Sequence, residues 1–210
     1  MAIAKRQEIE LILQSLTLQV TSPIGLAATS RHAVTTELIW ARNAFQSRGY
    51  TRIVGLSQGA CVFTDADWID AVLMKETVLG RFGLRVRVSQ ALSDSAVSKI
   101  LQAMAKAAAT SVGVALEKSL DKPMGKTLSA PVDYVASLFA AEAVSPIAEA
   151  VTVVDPKCYA SGGTILALPL VAPAKVTRAQ SSAGKTQRPR KQVLAKGEAN
   201  GEVTLSIGLL

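Results

Sequence analysis

The chain has 210 residues, 49% hydrophobic and 4% aromatic, with a formal charge of +7. Its supply of branched aliphatics excludes a disordered chain, and its two cysteines, Cys61 and Cys158, exclude a disulfide-stapled mini-protein. One histidine and two distant cysteines cannot build a typical heme, zinc or metal-cluster site, so no cofactor is expected.

In chain order, Gln7 to Val20 carries apolar residues at Ile9, Ile12, Leu13, Leu16 and Val20, a helical spacing that Pro23 and Gly25 end. A second helix is expected from Ser30 through Val34, Leu38, Ala41 and Phe45 to the Arg48-Gly49 stop signal. Thr51–Leu56 and Ala60–Phe63 read as strands or a tight hairpin around Ser57-Gln58-Gly59. A helix is expected after Thr64, with Trp68, Val72 and Leu79 on its apolar face.

Phe82–Ser89 reads as a strand, because Leu84, Val86 and Val88 alternate with Arg85 and Arg87. Ser93 is placed to cap a long helix with Val97, Ile100, Leu101, Met104, Ala108 and Val112 in its buried stripe. A further helix is expected from Pro131 to before Pro146. The chain has 33 alanines, and 13 fall between Leu101 and Ala150, where close helix packing is expected.

The period then changes to alternation. Ala150–Val154, Thr164–Val171 and Val203–Ile207 are β-like, and Asn200-Gly201 is a hairpin signal that would pair Gln192–Lys196 with Glu202–Leu209. Helices first and strands last predict an α+β fold. We expect a mainly helical body over 1–149 and a β-rich C-terminal subdomain over 150–210, with a long basic arm at 174–191.

The charge is unevenly placed. Residues 1–155 hold 15 basic and 14 acidic side chains, while residues 156–210 hold 8 and 2. Lys175, Arg178, Lys185, Arg188, Arg190 and Lys191 therefore form a cationic arm able to meet several phosphates or an acidic neighbour. Arg85, Arg87 and Lys99 would extend that patch. The arm holds no aromatic residue on which bases could stack.

Three short motifs carry resemblances. Gly55-Leu56-Ser57-Gln58-Gly59-Ala60 resembles the nucleophile elbow of α/β-hydrolases, which implies a serine nucleophile at Ser57. That family places its histidine after the serine, whereas the one histidine here, His32, precedes it. Ala179 to Thr186, ending Gly184-Lys185-Thr186, is similar to a phosphate-binding loop, but Pro189 interrupts the helix that should follow. Ser93 to Leu101 resembles the start of a recognition helix in helix-turn-helix regulators, which implies groove contacts from Ser93, Ser95, Ser98 and Lys99.

Charged residues interrupt the N-terminus at Lys5, Arg6, Glu8 and Glu10, and Pro and Gly break both long uncharged runs. No secretory signal and no membrane span are therefore expected, and the expected location is cytoplasmic or within an assembled particle. The function expected is that of a non-enzymatic, self-associating assembly subunit, as in a virus- or phage-like particle. Its partners would be further copies, a larger protein assembly, or nucleic acid held by the arm. A DNA- or RNA-binding protein is the alternative, and a serine hydrolase a second one.

Overall fold

A β-strand sends successive side chains to opposite faces, so a strand with one buried face shows a period of two. That period runs through most of the computed structural model, which describes residues 6–22, 26–40, 46–63, 71–98, 146–155, 163–177 and 192–210. The strands are β1 (Arg6–Leu18), β2 (Thr29–Trp40), β3 (Gln46–Ser57), β4 (Ala60–Val62), β5 (Val72–Leu79) and β6 (Phe82–Ser89). They continue with β7 (Pro146–Val154), β8 (Thr164–Val171), β9 (Val176–Thr177), β10 (Gln192–Leu194) and β11 (Ala199–Leu209).

The chain divides into two compact units, residues 1–91 with 146–210, and residues 92–145. In the first unit the sheet closes on itself as an eight-stranded antiparallel barrel. Its order is β11-β8-β7-β6-β2-β3-β4-β1, and β1 returns to β11 over Ile9 to Leu18. The ninth strand, β5, shares one edge of β1 with β4. Arg6 to Ile12 pair with β5, and Ser15 to Thr17 pair with β4. In the second unit the described residues show one helical turn at 94–98. Ser93 caps it as expected, its Oγ accepting a hydrogen bond from the Ala96 N–H at 3.2 Å.

The barrel interior is mainly apolar. Leu11, Leu13, Leu16, Leu38, Phe82, Leu84, Leu170, Leu205 and Ile207 are fully buried, and each contributes roughly 1.5–3 kcal/mol by leaving water. An eight-stranded barrel is just wide enough for such side chains to fill. The outer wall carries Glu10, Thr35, Glu37, Arg85, Arg87, Glu202 and Thr204. No helix among the described residues is long and apolar enough to cross a membrane.

The expected α+β fold with its helical N-terminal region is therefore wrong, and each error has a physical source. In β1 the inward residues are Ile9, Leu11 and Leu13, then Leu16 and Leu18. A bulge between Leu13 and Ser15 inserts one residue against β11, and the resulting three-residue step imitates a helical stripe. In β2 the inward set is His32, Val34, Thr36 and Leu38, all buried. The two polar members hid the alternation and left Val34 and Leu38 at a helix-like spacing of four. In β5 the inward row includes Glu76, whose carboxylate accepts a hydrogen bond from the Tyr50 hydroxyl at 2.7 Å. The Thr64–Asp70 start of that expected helix, residues 99–112 of the long helix expected from Ser93, and the helix expected from Pro131 to before Pro146 lie outside the described residues.

The strands at Phe82–Ser89, Ala150–Val154, Thr164–Val171 and Val203–Ile207 stand where they were expected. So does the tight hairpin between β3 and β4, where Gln58 and Gly59 both take positive φ, 47° and 78°. The hairpin expected at Asn200-Gly201 is not formed. Both residues lie inside β11, which pairs with β8 and β1, while Gln192–Leu194 pairs with Val176–Thr177.

The turn signal there was real but serves another purpose. Gly201 has φ +123°, and a Cβ on it would overlap the Thr17 carbonyl of β1. Asn200 forms a bulge against β8 and is fully buried. Its Oδ1 accepts from the Val20 N–H at 2.8 Å. Its Nδ2 donates to the carbonyls of Val20 at 3.1 Å and Ile147 at 3.0 Å. One side chain thus ties β11 to the ends of β1 and β7 at one rim of the barrel.

Candidate partner-binding surface

Arg85 and Arg87 leave the outer face of β6, as their alternation with valine and leucine requires. The register sets Arg85 opposite Glu37 of β2 and Arg87 opposite Glu149 of β7. Arg85 lies 3.4 Å from Glu37 and 3.7 Å from Glu149. Arg87 lies 3.0 Å from Glu149 and 3.9 Å from Glu37. Two cations thus meet two carboxylates on a half-exposed wall. Each such contact is worth at most about 1 kcal/mol, and the group carries no net charge.

Lys175 is exposed just before β9. Gln192 of β10 pairs with Thr177 of β9, so the chain leaves and re-enters the described structure at one place on either side of 178–191. Arg178, Lys185, Arg188, Arg190 and Lys191 lie outside the described residues, as do Lys99 and the phosphate-loop-like segment Ala179–Thr186. The structure thus brings Arg85 and Arg87 together with acidic partners, and of the arm's cations it places Lys175 alone.

The elbow-like segment is a strand–turn–strand, not the strand–turn–helix its resemblance implies. Ser57 ends β3 and is exposed on the outer side, since Val54 and Leu56 point inward. His32 points inward three rungs away, opposite Val54. Its Nδ1 donates to the Ser89 carbonyl at 2.7 Å, and its Nε2 accepts from the Ser30 hydroxyl at 2.8 Å. Burial holds the imidazole below its usual range, partly offset by the bond to Ser89. The serine and the histidine therefore stand on opposite faces of one sheet.

Cys61 of β4 is a free thiol that burial pushes up to about 11, against a smaller opposing effect of a backbone hydrogen bond at Leu16. Such a thiol is almost wholly protonated at neutral pH and is a poor nucleophile. Among the described residues no three His, Cys, Asp or Glu side chains come together in a way that could hold a metal ion.

Sequence reasoning passed over one surface. On β7 and β8 both faces are mainly apolar, Glu149 being the one charged residue of the two strands. Inward stand Ala148, Ala150, Val154, Leu168 and Leu170, all buried. Outward stand Val151, Val153 and Ile165, exposed at 59%, 64% and 70%, with Val171 at 38% and Ala167 and Pro169 also exposed. This two-strand area presents on the order of 450 Å² of apolar surface, the size of the largest patch on a typical monomer, which is often a functional one. The sequence signal was present in the nearly unbroken apolar run Ile165–Ala172. A strand apolar on both sides is one covered on both sides.

The two strands are also weakly joined. Glu149↔Val171 is the one bridge between them, whereas β6–β7 and β8–β11 are laddered along their length. Together these features define an antiparallel barrel with a filled interior, a polar wall and one apolar outer face. No protein-family model matches the chain, and no curated protein matches it.

Proposed function

We propose that this chain is a non-enzymatic assembly subunit that associates with copies of itself, with its basic arm on a neighbouring subunit or on nucleic acid. The observation that carries this reading is the apolar outer face of β7 and β8. Water-exposed valine and isoleucine at such density favour a protein partner. Two further features support it. The interior of the barrel is occupied by its own side chains, and the outward arginines of the wall are matched by glutamates. The cationic excess of the chain therefore rests on the C-terminal quarter, where an arm can reach a partner. A particle or another large complex, inside the cell or in the assembled object, is the setting that suits such a subunit.

Size-exclusion chromatography with light scattering on the full chain tests the proposal. A mass of two or more subunits at micromolar concentration is expected. A clean monomer at the highest reachable concentration overturns it.

A further inference from the structure

We infer that the outer face of β7 and β8 is the seat of a two-fold contact with a second copy of this chain, which rests on the self-association proposed above. A standard protein–protein contact covers about 800 Å² on each partner, with a little over half of it apolar. The apolar area here is on the order of 450 Å², which matches that share and leaves room for a polar rim. The rim has the charges a second copy would need. On one flank stand Arg85 and Arg87 of β6, which share Glu37 and Glu149; Arg85 comes no nearer than 3.4 Å to either carboxylate and keeps guanidinium donors for a third. On the other flank, β11 presents Glu202 and no cation.

The register places these charges at one height. Arg85 pairs with Val151, and Glu202 pairs with Pro169. β7 and β8 pair at Glu149↔Val171, and counting two residues along each strand from that bridge sets Val151 level with Pro169, although no rung joins them there. The row across the wall thus reads Arg85, Val151, Pro169, Glu202. A two-fold axis lying in the contact plane and parallel to the strands lays β6 of each copy over β11 of the other. It preserves height along the strands, so Arg85 of each copy meets Glu202 of the other, twice per dimer. An axis across the strands would bring β6 over β6 and set arginine against arginine. Face-to-face sheets about 10 Å apart, at the usual small angle, place both side chains within reach. Val151, Val153, Ile165 and Ala167 fill the centre.

The experiment compares three full-length chains by light scattering across a concentration series, with circular dichroism as a folding control. These are the wild type, Val153→Glu/Ile165→Glu and Glu202→Lys. All substituted side chains face outward, so unchanged spectra are expected, with melting lowered only by as much as the lost association stabilised the wild type. The wild type is expected to be dimeric and the double variant monomeric. Glu202→Lys is expected to weaken the dimer on the order of ten-fold, because two ion pairs become repulsive contacts. A wild type that associates while the double variant keeps the same mass overturns this face as the interface and leaves self-association standing. An associating wild type weakened by the double variant but indifferent to Glu202→Lys overturns the two-fold geometry. A monomeric wild type overturns both the interface and the self-association beneath it.

Discussion

Asn200→Ala should be among the most damaging single substitutions of a polar residue in the barrel. The side chain makes three hydrogen bonds, two to the backbone of Val20 and one to the Ile147 carbonyl. The Val20 bonds are partly buried, and about 1 kcal/mol is at stake in each. The bond to Ile147 is buried, and leaving that acceptor bare costs about 2 kcal/mol. The expected loss is about 4 kcal/mol, or roughly 8–16 °C in Tm for a chain of this length. Urea and thermal denaturation followed by far-ultraviolet circular dichroism measure it. Asn200→Asp keeps the acceptor but removes both donors and turns an oxygen toward two carbonyls, so it should cost at least as much. A loss below about 1 kcal/mol for Asn200→Ala would show that this rim is not held as described.

Other outcomes follow from the same geometry. Gly201→Ala should destabilise by about 3 kcal/mol or more, since its positive φ and the Thr17 carbonyl both oppose a Cβ; a near-neutral result in urea denaturation would refute the tight β1–β11 approach. His32 is neutral and buried with a lowered pKa, so the unfolded chain takes up the proton first as the pH falls. Its contribution is therefore intact above about 6.5 and is lost as the pH drops below that value; unfolding free energies at several pH values should show a shallower acid slope in His32→Gln. At pH 8 Cys61 should react with a disulfide reagent on the order of a hundred-fold more slowly than an ordinary cysteine, measured in a Cys158→Ser background. Arg85→Ala and Arg87→Ala should leave retention on a phosphate-rich polyanion column unchanged, while neutralising Lys175, Arg178, Lys185, Arg188, Arg190 and Lys191 together should abolish it.

How far the sequence reveals this molecule depends on what interrupts the alternation. β6 was readable because no polar residue faces inward between Phe82 and Val88. β8 was readable as an apolar run, and β11 only over Val203–Ile207, where Val203, Leu205 and Ile207 alternate inward beyond the buried Asn200. β1 was not, because a bulge at Leu13/Ser15 shifts the pattern by one residue midway. β2 and β5 were not, because His32, Thr36 and Glu76 occupy inward positions where partners arriving from distant strands satisfy them. Asn200-Gly201 has the residues of a hairpin turn and uses the same conformational freedom inside a strand. At the surface, the outward direction of Arg85 and Arg87 was legible. Their glutamate partners were not, since Glu37 and Glu149 lie 48 and 62 residues away in the chain. The apolar outer face was visible only as an apolar run, because it takes the register to show that Val151, Val153, Ile165 and Pro169 share one side of one wall.

Beyond Glu149↔Val171, β7 and β8 share no ladder, so their facing amides should exchange quickly with solvent in a dilute sample. Hydrogen–deuterium exchange on the wild-type chain, at dilute and at concentrated conditions, measures this directly. Slower exchange on concentration, confined to peptides spanning 150–154 and 164–171, is the expected result. Exchange there that ignores concentration, or protection arising on another part of the barrel, would contradict it.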